Sequence, residues 1–183
     1  LVTNDNVTYL LPSVTKTFLQ NARPEVITSL GNSIVDRAFA LALQNGFKAY
    51  QRFHILDKEW PTLLAAFPLF AEGDNARLQQ VCDALRFFLE FRGYWDEWQI
   101  LEEQAERRAL DANDDDNAGW RAFQSGWIYY LRGQSREVSI CASRVLKRWG
   151  KNPSVSIKRA LAIRLRGIGQ QLEKNYPEAL KSY

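Results

Sequence analysis

The sequence predicts an all-α protein, a right-handed solenoid of antiparallel helical hairpins. Three observations carry that prediction. Apolar residues recur at i, i+3, i+4 and i+7 through most of the 183 residues, and alternating strand patterns are scarce. A helix–turn–helix outline returns four times, with turns Leu-Asp-Lys58-Glu-Trp60-Pro, Phe-Arg-Gly93-Tyr-Trp95-Asp, Leu-Arg-Gly133-Gln-Ser135-Arg and Glu-Lys174-Asn-Tyr176-Pro. Counting from Lys58 to Gly93 to Gly133 to Lys174 gives 35, 40 and 41 residues, a period that belongs to stacked hairpins. A composition of 46% hydrophobic and 13% aromatic residues is ample for one core or a short solenoid.

The elements follow in order. Residues 1–45 read as an irregular helical N-terminal part: a short extended piece over Thr8–Pro12, a helix over Val14–Asn21, a break at Arg23-Pro24 and a helix boundary at Leu30–Ser33. A helix over Ile34–Gln44 then stops near Gly46, and residues 46–183 read as about four hairpins. The first opens with a helix over Phe47–Leu56. The helix over 76–92 carries Leu78, Val81, Cys82, Leu85, Phe88 and Leu89 on one stripe, with Gly93 past its end as the cap. The helix over 97–110 carries Trp98, Leu101, Ala105 and Leu110. The polar connection Asp111–Asn117 offers Asp116 or Asn117 as N-cap for a helix running to Leu131. Asn152-Pro153-Ser154 separates a helix over 136–149 from the next, and Tyr176-Pro177 starts the last.

Gly126, Tyr129 and Gly133, spaced by three and four, resemble the tetratricopeptide repeat. That resemblance implies Gly126 as the small residue where the second helix crosses closely, Tyr129 as the groove filler and Gly133 as the turn. Leu56 to Phe67, Glu72-Gly-Asp74 and Leu85 to Trp98 with Arg92-Gly93-Tyr94-Trp95 resemble the helical region behind the nucleotide-binding module of STAND-class signalling ATPases. Upstream, Tyr9-Leu10-Leu11-Pro12-Ser13-Val14 and Phe18-Leu19 are similar to the closing strand and helix of the winged-helix piece in those proteins. The resemblance implies a sensor or scaffold arm that holds a protein or ligand and relays its presence to an adjacent ATPase module. No Gly-x-x-x-x-Gly-Lys-Ser/Thr loop occurs, so nucleotide binding by that route is not expected. The chain has no methionine, even at its first position, and reads as a piece of a longer protein.

The net charge of +3 hides an uneven distribution. Nine acidic residues against Arg107 and Arg108 lie between Asp96 and Asp116, a local net of −7. Between Val138 and Leu172 stand Arg144, Lys147, Arg148, Lys151, Lys158, Arg159, Arg164 and Arg166 with no Asp or Glu, a local net of +8. Two helix faces that partly neutralise each other are the favoured reading; a basic face for an anionic partner is the alternative.

Chemistry is harder to find. His54 stands where a hairpin faces its partner helix, so a packed or half-packed structural histidine is expected. Cys82 and Cys141 sit in helical patterns without ligand-spaced neighbours, which argues against zinc and against a disulfide and fits a cytoplasmic setting. Asp111-x-Asn113-x-Asp115 opens like a calcium loop, but Asp116 takes the glycine place and Ala122 the glutamate place. Glu102, Glu103 and Glu106 fit surface pairing with Arg107. The expectation is a binding protein, not an enzyme, without metal or cofactor.

No stretch approaches the ~20 apolar residues of a membrane helix, and Val7–Leu11 is too short and too polar at its flanks for a signal peptide. In a tetratricopeptide stack the first helices line the concave face, which here implies Lys48, Arg52, Asp83, Phe87, Glu90, Phe123, Trp127, Tyr130, Arg164 and Gln171. Phe123, Trp127 and Tyr130 form one helical stripe, suited to a peptide or helical segment unless it is buried against the next hairpin. Nucleic acid, bound through the basic 138–172 stretch, is the alternative partner.

Overall fold

The computed structural model describes residues 2–4, 7–9, 24–149 and 156–183, with side chains from 29 to 149 and from 157 to 183. A short antiparallel ribbon, β1 (Val2–Asn4) and β2 (Val7–Tyr9), pairs Thr3 with Thr8. Apart from that ribbon, the described chain is helix and turn. The expected helix over Val14–Asn21, the residues Leu10–Pro12 and the Asn152-Pro153-Ser154 break lie outside the described residues.

Helix α1 (Pro24–Asn45) begins on a proline, whose fixed φ and missing N–H suit a first helical position. It runs unbroken through Gly31-Asn32, where a boundary was expected. One interior glycine costs only about 1 kcal/mol relative to alanine, and α1 packs against the three helices that follow it, which outweighs that local cost. The chain leaves α1 at Gly46. A single 3₁₀ turn (Tyr50–Arg52) then leads into the short α2 (Phe53–Lys58) and α3 (Trp60–Glu72). The expected helix over Phe47–Leu56 is therefore cut to its end, because Phe47 takes a left-handed φ of 54°. The joint at Lys58 also differs from a hairpin turn. Glu59 sits at φ −95° and ψ 8°, and its N–H still reaches the Ile55 carbonyl at 3.1 Å, so α2 bends into α3 without reversing.

The remaining helices are α4 (Asn75–Arg92), α5 (Trp95–Asp111), α6 (Asp115–Leu131), α7 (Ser135–Trp149), α8 (Ser156–Leu172) and α9 (Tyr176–Ser182). Four of their joints are the same device. A left-handed residue (Gly93, Asn113, Gly133 or Lys174, φ 55–74°) follows the helix. The next N–H closes onto the carbonyl five residues back: Tyr94 on Leu89, Asp114 on Ala109, Gln134 on Tyr129 and Asn175 on Gln170, at 2.8–3.0 Å. That residue's own carbonyl then accepts the first bond of the following helix, from Trp98, Ala118, Val138 or Ala179. One left-handed residue and one cap residue thus reverse the chain each time. At the third of these helices the cap is Asp114, which accepts from the Asn117 N–H at 3.0 Å; neither Asp116 nor Asn117 serves.

Each helix from α4 onward packs on its sequence neighbours, and α6 also touches α8. The middle of α6, Arg121 to Gly126, is buried on every face, and the helix lies between two apolar clusters. One joins α1 to α5 and reaches Ile128 of α6; the other joins α6, α7 and α8 around Phe123, Val145, Trp149 and Leu165. Gly126 is the close-approach residue that its spacing implied. A methyl there would stand 2.6 Å from Leu165 Cδ2 on α8 and 3.0 Å from Cys141 Cβ on α7. At Gly46 a methyl would overlap the backbone oxygens of Ala84 and Ala42, atoms that cannot rotate away.

Two substitutions separate these causes. Gly133→Ala, with open space around the new methyl but a φ of 70°, should lose about 1 kcal/mol through backbone strain alone. Gly46→Ala should lose about 1–3 kcal/mol through overpacking. Urea unfolding followed by circular dichroism reads both, and equal losses would contradict the distinction.

Candidate recognition surface

The loop after α1 is fixed by backbone contacts. The Phe47 N–H donates to the Ala84 carbonyl at 2.5 Å, and Ala49 and Arg52 close back on Gly46 and Ala49 at 3.1 and 2.7 Å. A left-handed bulky residue carries a cost of about 1–3 kcal/mol, tolerated here because α4 holds it. The loop delivers Tyr50 onto α4, its ring 6.4 Å from Phe87 and 6.2 Å from Phe91. Phe53 supports the group from beneath, 5.3 Å from Tyr50. Lys48 Nζ lies 5.4 Å and the Arg86 guanidinium 4.7 Å from the Phe87 ring.

Helices α4 and α6 are bridged by long side chains rather than close backbones. Trp127 Nε1 donates to Glu90 at 3.0 Å, and Trp120 Nε1 donates to Asp83 at 3.1 Å. The centre of the bridge is Arg121, fully buried. Its Nε donates to Gln79 Oε1 at 2.7 Å, its Nη1 to Glu102 at 3.3 Å and its Nη2 to Asp83 at 2.5 Å. Glu102 is also fully buried and takes a second bond, at 3.0 Å, from Trp98 Nε1. Glu102 is therefore a core residue paired with Arg121 and not the surface residue expected from its helix. Burial pushes the Glu102 carboxyl above its ordinary range, and the Arg121 charge offsets only part of this. For Arg121 burial opposes the charge, but Glu102 and Asp83 outweigh it and hold the guanidinium protonated.

The residues implied by the repeat geometry fare unequally. Lys48 and Phe87 meet, and so do Glu90, Trp127 and Tyr130, with Trp127 and Tyr130 rings 5.1 Å apart. Asp83 is engaged by α6 rather than open. Phe123 is a core residue, 8% exposed and stacked on Trp120 at 5.5 Å, so the Phe123–Trp127–Tyr130 stripe is buried at its start and open only at Tyr130. Arg52 donates to the Gln44 carbonyl at 2.9 Å. Arg164 and Gln171 are exposed on α8, and Gln171 accepts from the Tyr183 hydroxyl at 3.1 Å; no ring or polar contact among the described residues joins them to the α4–α6 group. Arg121, Arg86, Tyr50 and Phe91 escaped sequence reasoning. The odd basic residue inside a helix with Ala118, Ala122 and Gly126 was the one available sign of Arg121.

Much of the basic stretch is occupied. Arg144 pairs with Glu106 at 3.1 Å, Arg148 with Asp115 at 2.9 Å and Lys158 with Asp116. Lys147, Arg159, Arg164 and Arg166 are exposed with no ion pair among the described residues; Lys151 lies outside them. His54 is exposed, its Nδ1 2.9 Å from the Gln51 carbonyl, and is not the packed histidine expected. It falls on the outer side of α2, whose inner side buries Phe53 and Leu56. Cys82 and Cys141 are free and buried. Burial raises both thiols, Cys141 to about 11, leaving them protonated at neutral pH. Among the described residues no cluster of three His, Cys, Asp or Glu side chains is placed to hold a metal, and no helix is long and apolar enough to cross a membrane. A shallow groove of about 300 Å³ runs between α3 and α5 past Pro68, Gln104, Arg107 and Asp111, and none of the implied binding residues lines it. The chain matches no protein-family model, no curated protein and no solved structure.

Arg121→Met leaves Glu102 without its counter-charge and should cost about 3–5 kcal/mol, largely recovered by adding Glu102→Gln. The pH dependence has a definite sign. Glu102 binds its proton more tightly folded than unfolded, so its contribution to stability falls as pH rises above its ordinary 4.5 through the raised folded value. Glu102→Gln should therefore gain stability relative to the parent over that window. Denaturation midpoints at several pH values check this, and a parallel offset at all pH values would count against it.

Proposed function

We propose that the chain is a recognition module, a short right-handed solenoid of tetratricopeptide-like hairpins formed by α4–α5, α6–α7 and α8–α9. In this reading it holds a protein or peptide segment and serves as the sensor or scaffold arm of a larger STAND-class signalling ATPase, with residues 1–45 as the remnant of the preceding winged-helix piece. The repeated two-residue joint supports the hairpin architecture. The observation that carries the binding role is the set of uncovered rings on a fixed backbone: Tyr50 is 50%, Phe91 66% and Tyr130 37% exposed. Tyr50 and Phe91 lie 6.2 Å apart and Tyr130 stands beside Trp127; large aromatics left open next to other rings mark interaction surfaces more than isolated exposed residues do.

A nucleic-acid-binding repeat is the second reading, supported by the exposed Lys147, Arg159, Arg164 and Arg166. It is weakened by the acidic partners that already occupy Arg144, Arg148 and Lys158. Selection of short random peptides on the immobilised chain, alongside titration with single-stranded oligonucleotides, separates the two. The recognition reading expects retained peptides whose affinity drops more than about tenfold in the Phe91→Ser/Tyr130→Ser variant. No retained peptide, together with oligonucleotide binding that collapses between about 50 and 200 mM salt, would favour the second reading.

A further inference from the structure

The aromatic group around Tyr50 has a rim in which cations outnumber carboxylates. Lys48 and Arg86 lie over Phe87, Arg52 follows two residues after Tyr50, and the Arg92 guanidinium is 5.6 Å from the Phe91 ring. Of these four cations, only Arg92 has a carboxylate partner among the described residues, Asp57. The nearby Glu90 is committed to the Trp127 indole. The result is an apolar floor of Tyr50, Phe87 and Phe91 under cations with unused charge. Phe47, in the same loop, is 46% exposed and held in its left-handed conformation by the Ala84 carbonyl.

We infer that this patch, between the Gly46–Arg52 loop and α4, docks an acidic amphipathic peptide segment, one that sets apolar side chains among Asp and Glu. Two features of the patch specify that partner. The open ring faces demand apolar side chains, which a purely anionic chain lacks. Lys48 and Arg86 lie against the Phe87 ring, so any segment that covers the floor places its flanking residues beside them, and Arg52, bonded to the Gln44 carbonyl, stands exposed two residues along from Tyr50. Carboxylates there gain from a partly desolvated site, whereas Lys or Arg would meet like charge. A nucleic-acid strand would answer the charge and stack on the rings as well, and the test includes it.

The inference rests on the recognition reading but fails separately from it. Random peptides are selected on the full chain, and each retained sequence is measured by fluorescence anisotropy against the parent, Tyr50→Ser and Lys48→Glu/Arg52→Glu. All three substituted residues are exposed, and circular dichroism confirms the fold of each variant. Retained peptides should carry net negative charge with interspersed apolar residues. They should lose more than about tenfold in affinity for both variants, and Lys-for-Glu versions of them should not bind the parent. Neutral or basic retained peptides, or affinities unchanged in the variants, overturn the inference and leave peptide recognition standing. Displacement of every retained peptide by a single-stranded oligonucleotide at physiological salt also overturns it, in favour of a phosphate ligand. Failure to retain any peptide overturns both.

Discussion

The buried guanidinium of Arg121 is the constraint on which the rest of the structure depends. Removing a cation from water is costly unless it is paired and hydrogen-bonded, and each side-chain nitrogen of Arg121 finds an acceptor on one of two other helices. Gln79 and Asp83 come from α4, and Glu102 comes from α5. Gln79 is itself held, donating to the Ala105 carbonyl of α5 at 2.9 Å. A single side chain on α6 therefore sets the positions of α4 and α5 relative to it. The separation is too wide for close backbone packing on the α4 side, and Trp120 and Trp127 fill it. On the other side of α6, Gly126 lets α7 and α8 come close. The asymmetry leaves ring faces open where α4 meets the preceding loop.

Charge repeats this logic along the chain. Asp57 pairs with Arg92, Asp96 with Arg132, Glu106 with Arg144, Asp115 with Arg148 and Asp116 with Lys158, at sequence separations of 33 to 42 residues. These separations are close to the repeat period. Partly exposed pairs of this kind contribute about 0–1 kcal/mol each. The acidic and basic segments thus meet in part, through Glu106–Arg144, Asp115–Arg148 and Asp116–Lys158, while Lys48, Arg52 and Arg86 around Tyr50 have no such partner among the described residues.

Much of the helical layout was legible in the sequence, and the reasons are local. Gly93 and Gly133 announced left-handed joints because glycine takes that conformation without cost. The bounds of α4, α5 and α7 followed from their apolar periodicity. Lys174 was legible as a turn from its spacing but not as a left-handed residue, whereas Asn113, which tolerates that conformation, stood in a connection that read only as polar. The continuity of α1 through Gly31 and the collapse of the helix expected at Phe47 both come from tertiary contacts with α3 and α4, which no window of sequence contains. The site was less legible still. Phe123 and Tyr130 share a helical stripe but differ in burial because α7 and α8 cover one and not the other. Glu102 looked like a surface residue because its partner lies 19 positions away.

Native-state hydrogen exchange of the parent and of Arg121→Met tests the central claim most directly. If Arg121 unites α4, α5 and α6, their slowest amides should exchange with one common opening free energy in the parent. In Arg121→Met the α4 and α5 amides should open at lower free energy than those of α7 and α8. Uniform loss of protection across all the helices, or α4 and α6 amides that already open independently in the parent, would contradict the account.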